Sequence, residues 1–208
     1  SWIFQAGHPM ITFSLHDKKL SVTQNTFRYL NSSDKTIWGV PLFIKYSTDT
    51  RKKEIKFLLE NRNEDIELED HVDKIFLNSN AYGFYRTDSK DLDCLFDINE
   101  LSSEEKYSIV DDYWALILNG SKNVENFLEF SEKFQNETDP DILGLLYSCF
   151  SNLNRNLVDK SYLQLVVNKI YNETFQRLDN KTKRSIREVQ ALAVCFRAMA
   201  IIIENPII

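Results

Sequence analysis

The chain has 208 residues, 43% hydrophobic and 27% charged, with only 5 Gly, 4 Pro, 3 Cys and 3 His and a net charge of −6. That is the composition of an ordinary soluble domain or pair of domains, each with enough chain to bury a core. Residues 1–87 carry a net +1 and residues 88–208 a net −7, so no basic stripe faces phosphates and no nucleic-acid partner is expected. The longest apolar runs, such as Ala198 to Ile203, fall far short of the roughly 20 residues of a membrane span, and no membrane partner is expected.

The first 87 residues alternate with the period of strands. Short runs recur as MITFSL (10–15), KLSVTQNTF (19–27), WGVPLFIKYS (38–47), EIKFLLE (54–60), DIELE (65–69), KIFLNS (74–79) and YGFYRT (82–87). Turn residues separate them, among them His16-Asp17-Lys18, Thr48-Asp49-Thr50 and Asn61-Arg62-Asn63. About seven short strands at this spacing predict a small antiparallel β-sandwich over residues 1–87. The basic stretch RKKEIK (51–56) and the acidic stretch at 64–73 read as the two arms of a solvated hairpin. Pro41 places its strand's beginning at or near it, or puts that strand at an edge.

From residue 88 the period becomes helical, and residues 88–208 read as an all-α antiparallel array, the start of a helical solenoid with no fixed internal repeat. In LSSEEKYSIVDDYWALILNG, Ser102 and Glu105 form a capping box, Gly120 is the stop, and Ile109, Tyr113, Leu116 and Ile117 line one stripe. The next helix runs from about Asn123 to Phe134. Another begins at Asp139 with Pro140 in its first turn and buries Leu143, Leu146, Phe150 and Leu153. Two more are expected at about 161–177 and 182–203.

No catalytic or metal-binding pattern is recognisable. His8, His16 and His71 have no H-E-x-x-H arrangement, and there is no Walker loop, G-x-G-x-x-G or G-x-S-x-G elbow. Gly7-His8-Pro9 reads either as a loop carrying a functional histidine or as a turn that delivers the chain into its first strand. Asp111 and Asp112 are adjacent on a helix, so they point about 100° apart and do not converge as an acid–base couple. Cys94, Cys149 and Cys195 are far apart with no C-x-x-C, which predicts reduced thiols in a cytoplasmic setting. Five N-x-[ST] sequons, at Asn31, Asn119, Asn136, Asn172 and Asn180, carry little weight in so Asn-rich a chain. The abrupt start at Ser1-Trp2-Ile3-Phe4, with no signal peptide pattern, and the stop after IIIENPII lead us to expect a piece of something longer.

Several anchored residues fall in a telling order: Trp2 with Gly7-His8-Pro9, Gln24 with Phe27, Trp38 with Pro41-Leu42, and Asn78 with Gly83-Phe84-Tyr85-Arg86. This order resembles the region after the catalytic domain in zinc aminopeptidases of the aminopeptidase N family, where the pattern is W…GYP, Q…RF, W.IPL and N…GYYRV.Y. The stretch 101–120 is similar to the helix that follows there, L…R…L.DD.FAL…G. Archaeal tricorn-interacting aminopeptidases look nearest. Three positions depart from the pattern: His8 stands for Tyr, Lys106 for Arg, and Thr87-Asp88 interrupts V.Y; none of the three is catalytic in the family.

The resemblance implies that Gly7 and Pro9 shape a turn, that His8 is not a ligand, and that Trp2 and Trp38 are core. It implies a non-catalytic C-terminal segment of an enzyme that removes N-terminal residues from peptides, with the sandwich as spacer and the helices as part of the wall of the peptide cavity. Zinc belongs to the parent enzyme and not to this segment, since the family's H-E-x-x-H and G-A-M-E-N residues do not occur here. The partners implied are the upstream catalytic domain of the same polypeptide and the parent's peptide substrates. Arg86 is either an ordinary surface charge or an interdomain contact through Asp111 or Asp112. Two rivals stand beside this reading: a stand-alone protein-interaction module without enzymatic activity, and an enzyme of unrelated design. An exposed apolar patch would favour the aminopeptidase segment over the stand-alone module.

Overall fold

The computed structural model describes residues 7–30, 36–49, 51–69, 71–89, 95–157 and 159–203. Trp2, Cys94 and the sequon at Asn31 lie outside them. The fold is a β-sandwich followed by a helical region, and the chain divides into two compact units, Ser1–Ala115 and Leu116–Ile208.

Seven strands build the first unit: β1 (His8–His16), β2 (Lys19–Phe27), β3 (Val40–Ser47), β4 (Lys52–Leu59), β5 (Asn63–Glu67), β6 (Lys74–Phe76) and β7 (Arg86–Ser89). They form one sheet in the order β5-β2-β1-β7 and another in the order β4-β3-β6. Pairing is antiparallel except between β1 and β7, which run parallel with Met10 opposite Arg86. Strict alternation decides which side chains go inward. Ile11, Phe13, Leu20 and Val22 of one sheet meet Leu42, Ile44, Tyr46 and Leu59 of the other in a single core. Trp38 is buried in that core at 3% exposure.

The hairpin expected from the basic and acidic stretches does not form. β4 pairs with β3, whereas β5 crosses to the other sheet and pairs with β2. The turn at 61–62 makes the crossing, anchored by the Gln24 N–H donating to the Arg62 carbonyl (2.8 Å). The acidic arm then finds its cations mainly on the β1–β2 turn, through Lys18–Glu67 (3.1 Å) and Lys19–Asp65 (2.8 Å), while Lys53 reaches Glu69.

The last strand starts four residues later than its alternation suggests. Asn80 and Ala81 adopt left-handed φ of 56° and 54° in a 3-10 turn at Ser79–Ala81, and the chain bends again before β7. Gly83 is needed there, because a Cβ would stand 2.0 Å from the Tyr85 ring. Asn78 closes the bend, accepting from the Gly83 N–H (2.8 Å) and donating to the Gly83 carbonyl (3.1 Å).

Helix α1 (Ser103–Leu118) opens on the capping box read in the sequence: Ser102 Oγ accepts from the Glu105 N–H (3.3 Å) and Glu105 accepts from the Ser102 N–H (2.9 Å). The division between the two units falls inside this helix. In the second unit follow α2 (Val124–Ser131) with a 3-10 turn to Phe134, α3 (Pro140–Asn156), α4 (Ser161–Val167), α5 (Glu173–Asp179) and α6 (Ile186–Ala198). A π turn at Asn168–Asn172 joins α4 to α5 with helical dihedrals throughout, and a second π turn, Met199–Ile203, prolongs α6. The core of this unit is Leu143, Leu146 and Phe150 of α3 with Phe127, Tyr171, Ala191 and Cys195. α6 is capped by a Ser185–Glu188 box.

Candidate functional site

The side chains with the most distinctive chemistry lie where β7 meets the middle of α1, all within the first unit. The parallel register of β7 on β1 brings Arg86 alongside Met10, and its guanidinium lies over the Phe27 ring, 5.0 Å from the centroid. Its Nη1 then reaches α1, 2.7 Å from Asp111 Oδ2, 3.1 Å from the Asp111 carbonyl and 3.2 Å from Asp112 Oδ1. Adjacent helical residues point apart, yet one planar guanidinium entering between them serves both carboxylates. Asp112 Oδ2 also accepts from the Thr87 N–H (2.8 Å) and hydroxyl (2.9 Å).

Asp111 remains partly solvated, whereas the Asp112 side chain is 8% exposed. Burial pushes the Asp112 carboxyl up to about 7, against the Thr87 donors and the Arg86 charge. For Arg86 burial works the other way and is outweighed by Asp111, so its affinity for the proton rises. His8 opens β1 with its ring 5.1 Å from that of Phe27 and 5.7 Å from that of Phe84. Burial and then the neighbouring Arg86 charge hold it below the ordinary histidine range. It sits at a strand end in an aromatic setting, next to Gly7, whose φ of +90° supplies the turn.

A second charged fastening was not legible beforehand. Lys45, on the outward face of the central strand β3, reaches Glu105 at 2.6 Å and lies over the Phe76 and Phe96 rings. Glu105 is 1% exposed and also accepts from the Asn80 N–H (3.1 Å). Burial would raise its pKa, but Lys45 and the Ser102 and Asn80 amides hold it below the usual carboxylate range. The available signal was a lone lysine between Phe43-Ile44 and Tyr46: a cation on a covered strand face requires a counter-charge.

These residues clamp a helix. Among the described residues no group of three or more His, Cys, Asp or Glu side chains could hold a metal ion. His8 lies against aromatic rings, and the His71 Nδ1 is engaged by Asp17 at 2.7 Å. Cys149 and Cys195 are buried and in no disulfide among the described residues, and burial pushes the Cys195 thiol up to about 12, far from a reactive thiolate. No helix among the described residues is long and apolar enough to cross a membrane.

Comparison with known proteins gives this segment its place. The model of the ERAP1-like C-terminal domain matches residues 74–202. "Probable aminopeptidase 1" of Sulfurisphaera tokodaii is 30% identical over 135 residues, which are 65% of this chain and 16% of that protein. "Leucyl aminopeptidase" of Saccharolobus solfataricus is 29% identical over 66% of this chain and 17% of its own length. "Tricorn protease-interacting factor F2" of Thermoplasma volcanium is 24% identical over 88% of this chain and 22% of its own. The chain thus spans roughly a fifth of the length of these relatives. It belongs to the ERAP1-like C-terminal domain family and corresponds to the C-terminal segment of an aminopeptidase of the aminopeptidase N class.

Proposed function

We propose that the chain is the non-catalytic C-terminal segment of a zinc-dependent aminopeptidase that removes N-terminal residues from peptides. The sandwich serves as a spacer after the catalytic domain, and the helical region contributes part of the wall of the peptide cavity. The observation that carries this reading is the family match over residues 74–202 with relatives named as aminopeptidases, in a chain whose described residues assemble clamps and cores. Zinc, in this reading, is bound by the upstream catalytic domain, which is also the segment's main partner. We place the change from sandwich to helical domain at 87/88, where the period of the sequence changes, and assign Arg86, Asp111 and Asp112 as the contact between those two domains. A cytoplasmic setting is supported by Cys149 and Cys195, which are buried and in no disulfide among the described residues.

An apolar stripe on α6 supports a segment over a free-standing module. Ile186, Val189 and Phe196 recur at helical spacing and are each at least half exposed, as expected of a face that packs against more protein. The test is to isolate the natural polypeptide from its source and assay it on aminoacyl-coumarin substrates with and without a zinc chelator. The expected result is a chain several-fold larger than 24.4 kDa, with chelator-sensitive hydrolysis, while the 208-residue chain alone is inert. A natural chain of this size, or turnover by the segment itself, overturns the proposal.

A further inference from the structure

We propose that Arg86, Asp111 and Asp112 form a proton-linked clamp, in which the middle of α1 takes up a proton on Asp112 as it settles against β7. The inference does not depend on the aminopeptidase reading. It starts from a charge imbalance. One guanidinium nitrogen stands 2.7 Å from Asp111 and 3.2 Å from Asp112. With both carboxylates ionised, the trio carries a surplus negative charge beside an almost fully buried oxygen pair. Two like charges sharing one partner away from water cannot both stay ionised cheaply, and a proton on one of them restores neutrality.

The geometry selects Asp112. Asp111 is 45% exposed at its side chain, so water solvates it, and it pairs with Arg86 at the shorter distance. Asp112 Oδ2 already accepts twice from Thr87, whereas Oδ1 has only the longer contact to Arg86 Nη1. Oδ1 is therefore the oxygen that takes the proton, and the Arg86–Asp111 pair is then neutral. Among the described residues, Arg86 is the cation that acts on Asp112. From β1, His8 is held below its ordinary range by burial and by Arg86 itself. Tyr29, beyond β2, acts only on Arg86, and Tyr85, just ahead of β7, has its own ionisation suppressed by burial. The direction for Asp112 agrees, its carboxyl being pushed up to about 7 by burial.

The proton couples the clamp to pH with a definite sign. An aspartate whose folded value lies above its unfolded one gives the folded chain an extra proton between the two, so this contribution grows as pH falls through the folded value. The experiment is a carbon-detected carboxyl titration of the 208-residue chain, with urea midpoints of wild type and D112N across the same range. Asp112 is expected to titrate near neutrality. The wild-type midpoint should gain on that of D112N as pH drops from roughly 8 to roughly 5. In R86Q the Asp112 midpoint moves further up, a shift that a merely structural role does not produce. If R86Q does not fold, the wild-type titration and D112N still decide. An Asp112 that titrates near the ordinary aspartate value of about 3.9, or parallel pH dependence in wild type and D112N, overturns the clamp.

Discussion

The two units of this chain are held together by different chemistry. In the sandwich, single polar side chains make contacts that only one residue type can make. Gln24, fully buried, donates to the Trp38 and Asn61 carbonyls (2.9 and 3.1 Å) and accepts from the Trp38 N–H (3.0 Å), tying β2 of one sheet to the approach to β3 of the other. Asn78 closes on Gly83, and the Tyr85 hydroxyl donates to the Leu77 carbonyl while accepting from the Phe43 N–H. The helical unit leans more on apolar packing, beside buried bonds from the Tyr171 hydroxyl to the Leu143 carbonyl (2.9 Å) and from the Thr174 hydroxyl to the Glu137 carbonyl (3.0 Å). Phe150 lies 6.1 Å from Phe127 and 6.2 Å from Tyr171 between ring centroids, and small residues of α6 pack on α3. Directional contacts fix residue identity, whereas apolar packing fixes volume.

That contrast can be broken by paired substitutions. Phe150→Ala should cost the most, about 3–5 kcal/mol by cavity formation, while Phe150→Leu should cost only about 1.5 kcal/mol. Gln24→Leu keeps a similar volume but strands two or three buried backbone groups, so a loss of about 2–4 kcal/mol is expected. Urea melts of the three variants make the comparison. A Gln24→Leu chain as tolerant as Phe150→Leu would show that the staple is dispensable and the contrast false.

The same difference governs what the sequence made legible. Gln24, Asn78, Gly83 and Tyr85 stood out because each has a side-chain bond or close approach that few residues could replace, and with the core Trp38 they carried the family resemblance. Past residue 120 the chain offered only helical texture. Caps were readable because they are local: Ser102 with Glu105, and Asp139 accepting from the Asp141 N–H ahead of Pro140's helix. What stayed hidden depends on distant partners. Opposite charge made β4 and β5 look like one hairpin, but neither charge nor period 2 reports which sheet supplies the neighbour. The parallel seating of β7 on β1 was likewise invisible. The π turns at Asn168–Asn172 and Met199–Ile203 add one residue to a turn, too small a phase slip for an apolar pattern to reveal. Glu105 was read as a cap and proved also to be the counter-ion of Lys45, 60 residues away.

Lys45 offers a test of how far the polar rule extends. Lys45→Met keeps the apolar stem over Phe76 and Phe96 but removes the cation, and a loss of about 2 kcal/mol is expected at neutral pH. Proton uptake by Glu105 and its remaining amide donors limit that cost. The sign with pH follows from Glu105 lying below its ordinary value. In wild type its contribution is fully present above the unfolded carboxylate value and is lost as pH falls through the folded one. Without Lys45 that acid-side loss should begin at higher pH. An unchanged acid limb in the variant's urea midpoints would show that the amides alone hold the charge.

His71 marks the lower limit of the comparison, a directional contact made in full solvent. Its Nδ1 lies 2.7 Å from Asp17 Oδ1 and its Nε2 3.7 Å from Asp73 Oδ1, with both partners on turns at the same end of the sandwich. The hydrogen bond that the ring donates to Asp17 raises the histidine above its ordinary 6.5. Its stabilising contribution is therefore fully present below the unfolded value and disappears as pH rises through the folded one. Water competes for both groups, and exposed pairs of this kind contribute little. Asp17→Asn should return the imidazole titration, followed by proton NMR, to the ordinary value while scarcely moving the urea midpoint. A large fall in stability below neutral pH would mean that the pair acts like the buried clamps. The boundary between the two kinds of contact would then be set by geometry and not by exclusion of water.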